Sequence, residues 1–369
     1  MRYIGHGGDV YGAARELGRG VHRLLDFSAS INPLGPSPRA LRAIHGAEAL
    51  ISHYPDPACW DLRQALASHW GRPADAFLIG NGSTELIHLL PQALQIRHLL
   101  IVGPTFSEYA TAMNRSAGRV SMVMGERADG YRLSVGQVMA AMQRTAQAGR
   151  GQPAMDAVLL CNPNSPTGHT YEAETVGKLA RLAARRRVWC IVDETFAEYC
   201  TGTSILSRVL PARTIVLRSF TKFYGLPGLR VGYAVAKADV IARMGAQLPP
   251  WSVNMLAQRA AVAALQDVRH AGRSVRFMAR ERARFQKALT RLPDCTVFPS
   301  AANFLLIELP VGQQATVVVA ALGRQGLLIR DCSQVPGLND RSVRVAVRTR
   351  ADNDRLLQAL SVAIQGNGR

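Results

Sequence analysis

Between residues 77 and 235 the chain alternates short apolar runs with stretches of helical spacing, and this alternation decides what it can fold into. The runs at 77–79, 98–102, 120–124, 157–161, 188–192, 214–217 and 231–235 read as strands. The stretches at 84–94, 108–117 and 173–186 read as helices. Strands interleaved with helices predict an α/β domain around a mostly parallel, seven-stranded sheet. Such sheets gather ligands at the carboxyl ends of their strands, so the residues following each run are where chemistry is expected.

The pattern changes after Pro249-Pro250. Residues 253–289 read as a long helix broken near 267–272. Short strands follow at 296–298, 304–308, 327–330 and 342–347, with helices at 315–325 and 351–364. These make a smaller α+β domain. The first forty or so residues are rich in Gly, Pro and Ser and read as an extended arm. The expected division is an arm at 1–45 that contributes to the small domain and the active site, a large domain at 46–248, and an inter-domain helix with the small domain at 249–369.

Composition narrows the class. No apolar run reaches the length of a membrane span, and the N-terminus lacks the apolar core of a signal peptide, so a cytoplasmic location is expected. The six cysteines are scattered with no C-x-x-C pair, which argues against a zinc site or a disulfide framework; no metal is expected. The formal charge of +18 invites a nucleic-acid reading. Its arginines, however, are spread along the whole chain, and no helix-turn-helix, zinc-finger or stacking-aromatic pattern accompanies them. Neither nucleic acid nor membrane is an expected partner.

Only four lysines occur, and one of them, Lys222, lies among small, aromatic and glycine residues in Ser219-Phe220-Thr221-Lys222-Phe223-Tyr224-Gly225. It is either a solvated loop residue or a buried amine, and a buried amine is costly unless used. One use is a Schiff base to an aldehyde such as that of pyridoxal phosphate. Ser219 and Arg230 flank it with a hydroxyl and a permanent cation, which suits a phosphate. Other strand ends carry signals with equally plain alternatives. Gly80-Asn81-Gly82-Ser83-Thr84-Glu85 is a turn and helix cap, or a phosphate cradle. Asp193 is a cap or surface charge, or a carboxylate facing a pyridine nitrogen. Phe106 is core, or a ring that stacks on a flat cofactor. Asn162-Pro163-Asn164-Ser165-Pro166-Thr167-Gly168 is first of all a turn.

Taken in order and spacing, these motifs resemble the fold-type I, aspartate-aminotransferase-like superfamily of pyridoxal-phosphate enzymes, over nearly the whole chain. The resemblance implies that Lys222 carries the cofactor, that Asp193 faces its ring nitrogen and that Phe106 stacks on its ring. It implies that Ser83 and Thr84 (through their amides), Ser219 and Arg230 hold the phosphate. Tyr54, in Ser52-His53-Tyr54-Pro55-Asp56, matches a tyrosine that reaches the phosphate of a neighbouring subunit, which implies a homodimer with shared active sites. Arg344 matches an arginine for a substrate anion. Two positions depart from the pattern: Ser165 replaces an asparagine that contacts the cofactor's phenolic oxygen, with Asn164 a possible substitute, and Phe196 replaces a tyrosine.

Within the superfamily, His6-Gly7-Gly8-Asp9-Val10, the stretch Leu25 to Gly35, Phe196, Thr221 to Arg230 and Pro250-Trp251-Ser252-Val253-Asn254 are similar to the L-threonine-O-3-phosphate decarboxylases of cobalamin biosynthesis. The related family with a different reaction is histidinol-phosphate aminotransferase. Either implies a phosphorylated amino compound as substrate. His6, Asn32, Arg344 and Arg348 are the expected substrate anchors.

Overall fold

The computed structural model describes residues 6–146 and 155–366. Strand β1 (Leu25–Asp26) belongs to the N-terminal segment. Seven strands then form the large sheet: β2 (Phe77–Gly80), β3 (His98–Gly103), β4 (Arg119–Met124), β5 (Ala157–Cys161), β6 (Trp189–Asp193), β7 (Thr214–Ser219) and β8 (Gly232–Val235). Their order is β2-β8-β7-β6-β5-β3-β4. Every neighbouring pair is parallel except those of β8, which runs antiparallel to β2 and β7. The twelve residues between β7 and β8 hold a single helical turn, Pro227–Leu229, and no crossover helix, and the chain returns antiparallel.

Strands β3, β5, β6 and β7 are buried along their whole length, as a sheet covered on both faces requires. On one face Leu99, Ile101, Leu159, Ile191 and Leu217 pack with Leu86, Leu90, Met113 and Met244. On the other, Leu100, Val158, Val192 and Val216 pack with Met142, Val176, Leu179 and Ala180. The alternation of neighbours between the two clusters is the period-2 rule of a strand.

A second, antiparallel sheet has the order β12-β13-β10-β9, formed by β9 (Thr296–Val297), β10 (Phe304–Glu308), β12 (Arg330–Asp331) and β13 (Ser342–Ala346). Between β10 and β12 lies β11 (Leu327–Leu328), which pairs in parallel with β1. The single strand expected at 327–330 is therefore two, split at Ile329: one half pairs with the N-terminal segment and the other with β13. The long helix is broken where expected, at Asp267, which ends the helix Met255–Gln266 and caps Val268–Leu289 by accepting from the His270 amide at 3.1 Å. No helix among the described residues is long and apolar enough to cross a membrane.

The arm is not simply extended, which corrects the expectation from composition. Val10–Leu17 is a helix, capped by Asp9 and ended by Gly18 at φ +59°. Ala13, Ala14, Val10 and Leu17 pack on Leu24 and Leu328. Glycines on both sides mask the short apolar period. Pro38–His45 is a second helix, with Ser37 at its cap and proline in its first turn.

Two constructions fix the ends of β6 and β7. Arg218, 2 % exposed, lies 3.2 Å from Glu194 and 3.0 Å from Glu198. It donates to Ser204 Oγ at 3.0 Å and sits over the Trp70 ring at 4.7 Å. Beyond β7, the loop carrying Lys222 is clamped to the N-terminal segment: the Asn32 amide donates to the Lys222 carbonyl at 2.9 Å, and Asn32 Nδ2 donates to the Phe223 carbonyl at 2.8 Å. Gly225, at φ +69°, lies against Gly35, where an added Cβ would stand 2.8 Å from the carbonyl carbon. Gly225→Ala should therefore lower stability by about 1–3 kcal/mol in urea unfolding. Gly228→Ala, with nothing within 4 Å of the new methyl, should change it by less than about 1 kcal/mol.

Candidate active site

A cleft of about 590 Å³ opens at the carboxyl ends of the large sheet's strands and is bounded on the far side by Arg330, Cys332 and Arg344 of the second sheet and by His6, Gly7, Ser28 and Ala29. Its floor is built by strand ends. Gly82, at φ +79°, turns β2 into the helix Ser83–Ala93, so Ser83 and Thr84 face the cleft with the unpaired amides of a helix start. Ser219 ends β7, and Arg230 reaches in beside them, with one guanidinium nitrogen donating to the Pro227 carbonyl at 3.1 Å. A Cβ on Gly82 would lie 2.5 Å from Arg230 Nη2 and would push the guanidinium aside. Helix-start amides, a hydroxyl and a guanidinium together have the chemistry to hold one phosphate.

Phe106 forms a wall. Asp193, 3 % exposed at the end of β6, accepts from the Tyr109 hydroxyl at 2.8 Å and from the Thr195 amide at 2.9 Å. Burial raises its pKa, and those hydrogen bonds oppose the rise. Lys222 lines the cleft as a half-buried amine. Burial, reinforced by the cations of Arg344 and Arg230, brings its pKa down to about 8.

Arg344, on β13, donates to Ser165 Oγ and to the Ser28 carbonyl, each at 2.8 Å, and lies over the Phe304 ring at 5.0 Å. Its Nε is buried without a partner, and burial lowers its pKa to about 10. Phe196 lines the same wall, edge-on to Phe304 at 5.0 Å. His6 hydrogen-bonds Glu108 at 2.8 Å and leans on Phe106 at 5.2 Å, while the other Glu108 oxygen meets His88 at 2.9 Å. Burial acts to raise the Glu108 pKa, but the bonds from His88 and His6 outweigh it and the net shift is downward.

The cleft thus brings together His6, Ser83, Thr84, Phe106, Ser165, Asp193, Ser219, Lys222, Arg230 and Arg344. It leaves out four expected residues. Asn32 is buried, and its side chain is spent on the Phe223 carbonyl, Ser274 Oγ and the Leu34 amide. Arg348 donates to the Asp26 carbonyl at 3.1 Å and pairs with Asp352 at 3.2 Å. Asn164 spends its amide on the Pro104 carbonyl and Thr167, and so is no substitute for Ser165. Tyr54 is 79 % exposed, stacked on Trp251 at 4.8 Å, and is not in this chain's own cleft. Two residues were missed. Arg330 stands directly opposite Arg344 across the β12–β13 pair, a register visible only in the sheet. Tyr109 lies three residues after Phe106, but its hydroxyl meets a carboxylate 84 positions away.

The lowered pKa of Lys222 predicts a pH effect on the cofactor-free protein. Unfolded, the amine keeps its proton up to its ordinary value of 10.5; folded, only to about 8. Between those values the unfolded chain binds more protons, so stability rises with pH across the window. Wild type should gain about 1–3 kcal/mol over Lys222→Met between pH values near 7 and 10, by urea unfolding at each. Equal slopes for the two proteins would show that Lys222 is not the group responsible.

Residues 22–360 match the family model described as aminotransferase class I and II. The chain is 38 % identical over 364 residues to a threonine-phosphate decarboxylase of Salmonella typhimurium, covering 98 % of this chain and 97 % of that one. It is 35 % identical to a histidinol-phosphate aminotransferase of Roseiflexus castenholzii, covering 94 % and 91 %. Among solved structures, a histidinol-phosphate aminotransferase from Clostridium acetobutylicum superposes with a TM-score of 0.83 at 26 % identity, over 93 % of this chain and all of that one. Pyridoxal phosphate is the cofactor of such enzymes. The cleft fits it in kind: an anion cradle, an aromatic wall, a buried carboxylate and an amine of lowered pKa. The chain belongs to the aminotransferase class I and II family of pyridoxal-phosphate enzymes.

Proposed function

We propose that this chain decarboxylates L-threonine O-3-phosphate to (R)-1-amino-2-propanol O-2-phosphate and CO2, supplying the aminopropanol arm of cobalamin. The observation that carries the reading is the cross-strand pair Arg330 and Arg344, both lining the cleft. Two guanidinium groups on one wall can each take an anion. Threonine phosphate brings two, a carboxylate and a phosphate.

Bound pyridoxal phosphate supplies an aldehyde for the substrate amine and a ring that accepts the electron pair freed at Cα. The amides of Ser83 and Thr84, with Ser219 and Arg230, would hold its phosphate. Phe106 would cover a ring face, and Asp193 would keep a proton on the ring nitrogen. By gripping the substrate's anions, Arg344 and Arg330 would orient the Cα–carboxylate bond for cleavage. Loss of CO2 leaves Cα short of a proton, and Lys222 Nζ, with its pKa near 8, is poised both to give up a proton and to take one. The Ser165 hydroxyl accepts from Arg344, which leaves its proton free for the cofactor's phenolic oxygen, where Phe196 has none to offer. Tyr54, exposed on the outer surface, completes the phosphate site of a second copy in a homodimer.

The second reading, a histidinol-phosphate aminotransferase, is supported by the 35 % identical relative. The test is release of CO2 from threonine phosphate with no 2-oxo acid added. Consumption of histidinol phosphate with loss of the cofactor's absorbance, and no CO2 from threonine phosphate, would install the aminotransferase instead. Arg330→Gln should lower kcat/KM for threonine phosphate about 10- to 100-fold while cofactor binding is retained.

A further inference from the structure

The geometry points to Tyr109 as a positioning residue that acts through Asp193 to hold the proton on the cofactor's ring nitrogen. This deepens the reading above and rests on Asp193 facing that nitrogen. Tyr109 is 1 % exposed and opens the helix Glu108–Arg115. A phenol buried that deeply needs a partner, and it donates to Asp193 Oδ2 at 2.8 Å. The Thr195 amide serves Oδ1. Tyr109 thus holds one oxygen of the carboxylate and Thr195 engages the other, so its orientation is set before any ligand arrives. The Tyr109 ring also stands edge-on to Phe106, at 5.6 Å and 83°. One side chain therefore braces both the carboxylate and the wall of the cleft.

The electrostatics run in the same direction. Burial pulls the Asp193 pKa up, and donors to its charged form pull it back. Thr195 supplies the larger part of that restraint, through its side chain and its amide, and Tyr109 adds a side-chain donor at the other oxygen. Burial also holds the Tyr109 phenol well above its ordinary range, so it stays a donor and never becomes a competing anion. Without the hydroxyl, Asp193 takes up a proton more readily. A neutral acid no longer balances a charged ring nitrogen, the nitrogen gives up its proton more easily, and the ring withdraws electrons less strongly from the imine formed with Lys222. The pKa of that imine then rises.

Tyr109→Phe removes the hydroxyl and keeps the ring. The readout is a pH titration of the holoenzyme's cofactor absorbance, which needs no substrate. The midpoint is expected to move up by about one pH unit, with cofactor retained. In an Asp193→Asn background the same change should move it no further, because the effect passes through the carboxylate. Three outcomes count against the inference. An unchanged midpoint with only lowered stability makes Tyr109 a structural brace. A shift of equal size in the Asp193→Asn background means that it acts elsewhere. If Asp193→Asn alone leaves the midpoint in place, the placement of Asp193 is wrong, a failure distinct from that of Tyr109.

Discussion

Arg218 is buried between Glu194 and Glu198, and this ion cluster fixes how β6 and β7 end. Its geometry is one residue out of phase with the cleft. Glu194 follows Asp193 and Arg218 precedes Ser219, so the charges that tie the strands lie behind the residues that serve the site. Removing one partner from such a cluster leaves an uncompensated buried charge, at a cost of about 3–5 kcal/mol. The Trp70 ring over the guanidinium closes the cluster from water. Placement of Asp193 and Ser219 is thus inherited from an interaction that never touches the cleft.

Inside the cleft the balance is reversed: cations outnumber anions. Lys222 has Arg344 and Arg230 near enough to depress its pKa, which the carboxylates of Asp26 and then Asp193 only partly oppose. An anion on either arginine screens that repulsion and lets the lysine hold a proton more tightly. The protonation of the amine is therefore coupled to occupancy, and the same arginines that attract phosphate tune the base.

The large sheet was legible because its signal is local. Runs of buried residues separated by helical spacing mark strands, and 188–192 and 214–217 fall within two residues of β6 and β7 at each end. The strand-end residues of the cleft were legible for the same reason. What the chain hid depends on distant partners. Arg330 matters only because the register puts it opposite Arg344. Asn32 and Arg348 have the chemistry of anion ligands, yet backbone carbonyls and Asp352 consume it. The helix Val10–Leu17 is too short, and too hemmed by glycine, for its period to stand out.

The clamp at Asn32 has a mechanical consequence. It joins the N-terminal segment to the carbonyls of Lys222 and Phe223, while the Phe27 carbonyl, just after β1, accepts from the Ala346 amide of β13. From β1 onward the segment is a girder between the two sheets and cannot swing as a cover. Any rocking of the second sheet on the first is transmitted through Asn32 to the backbone of the lysine itself, so opening the cleft and re-aiming the amine are one movement.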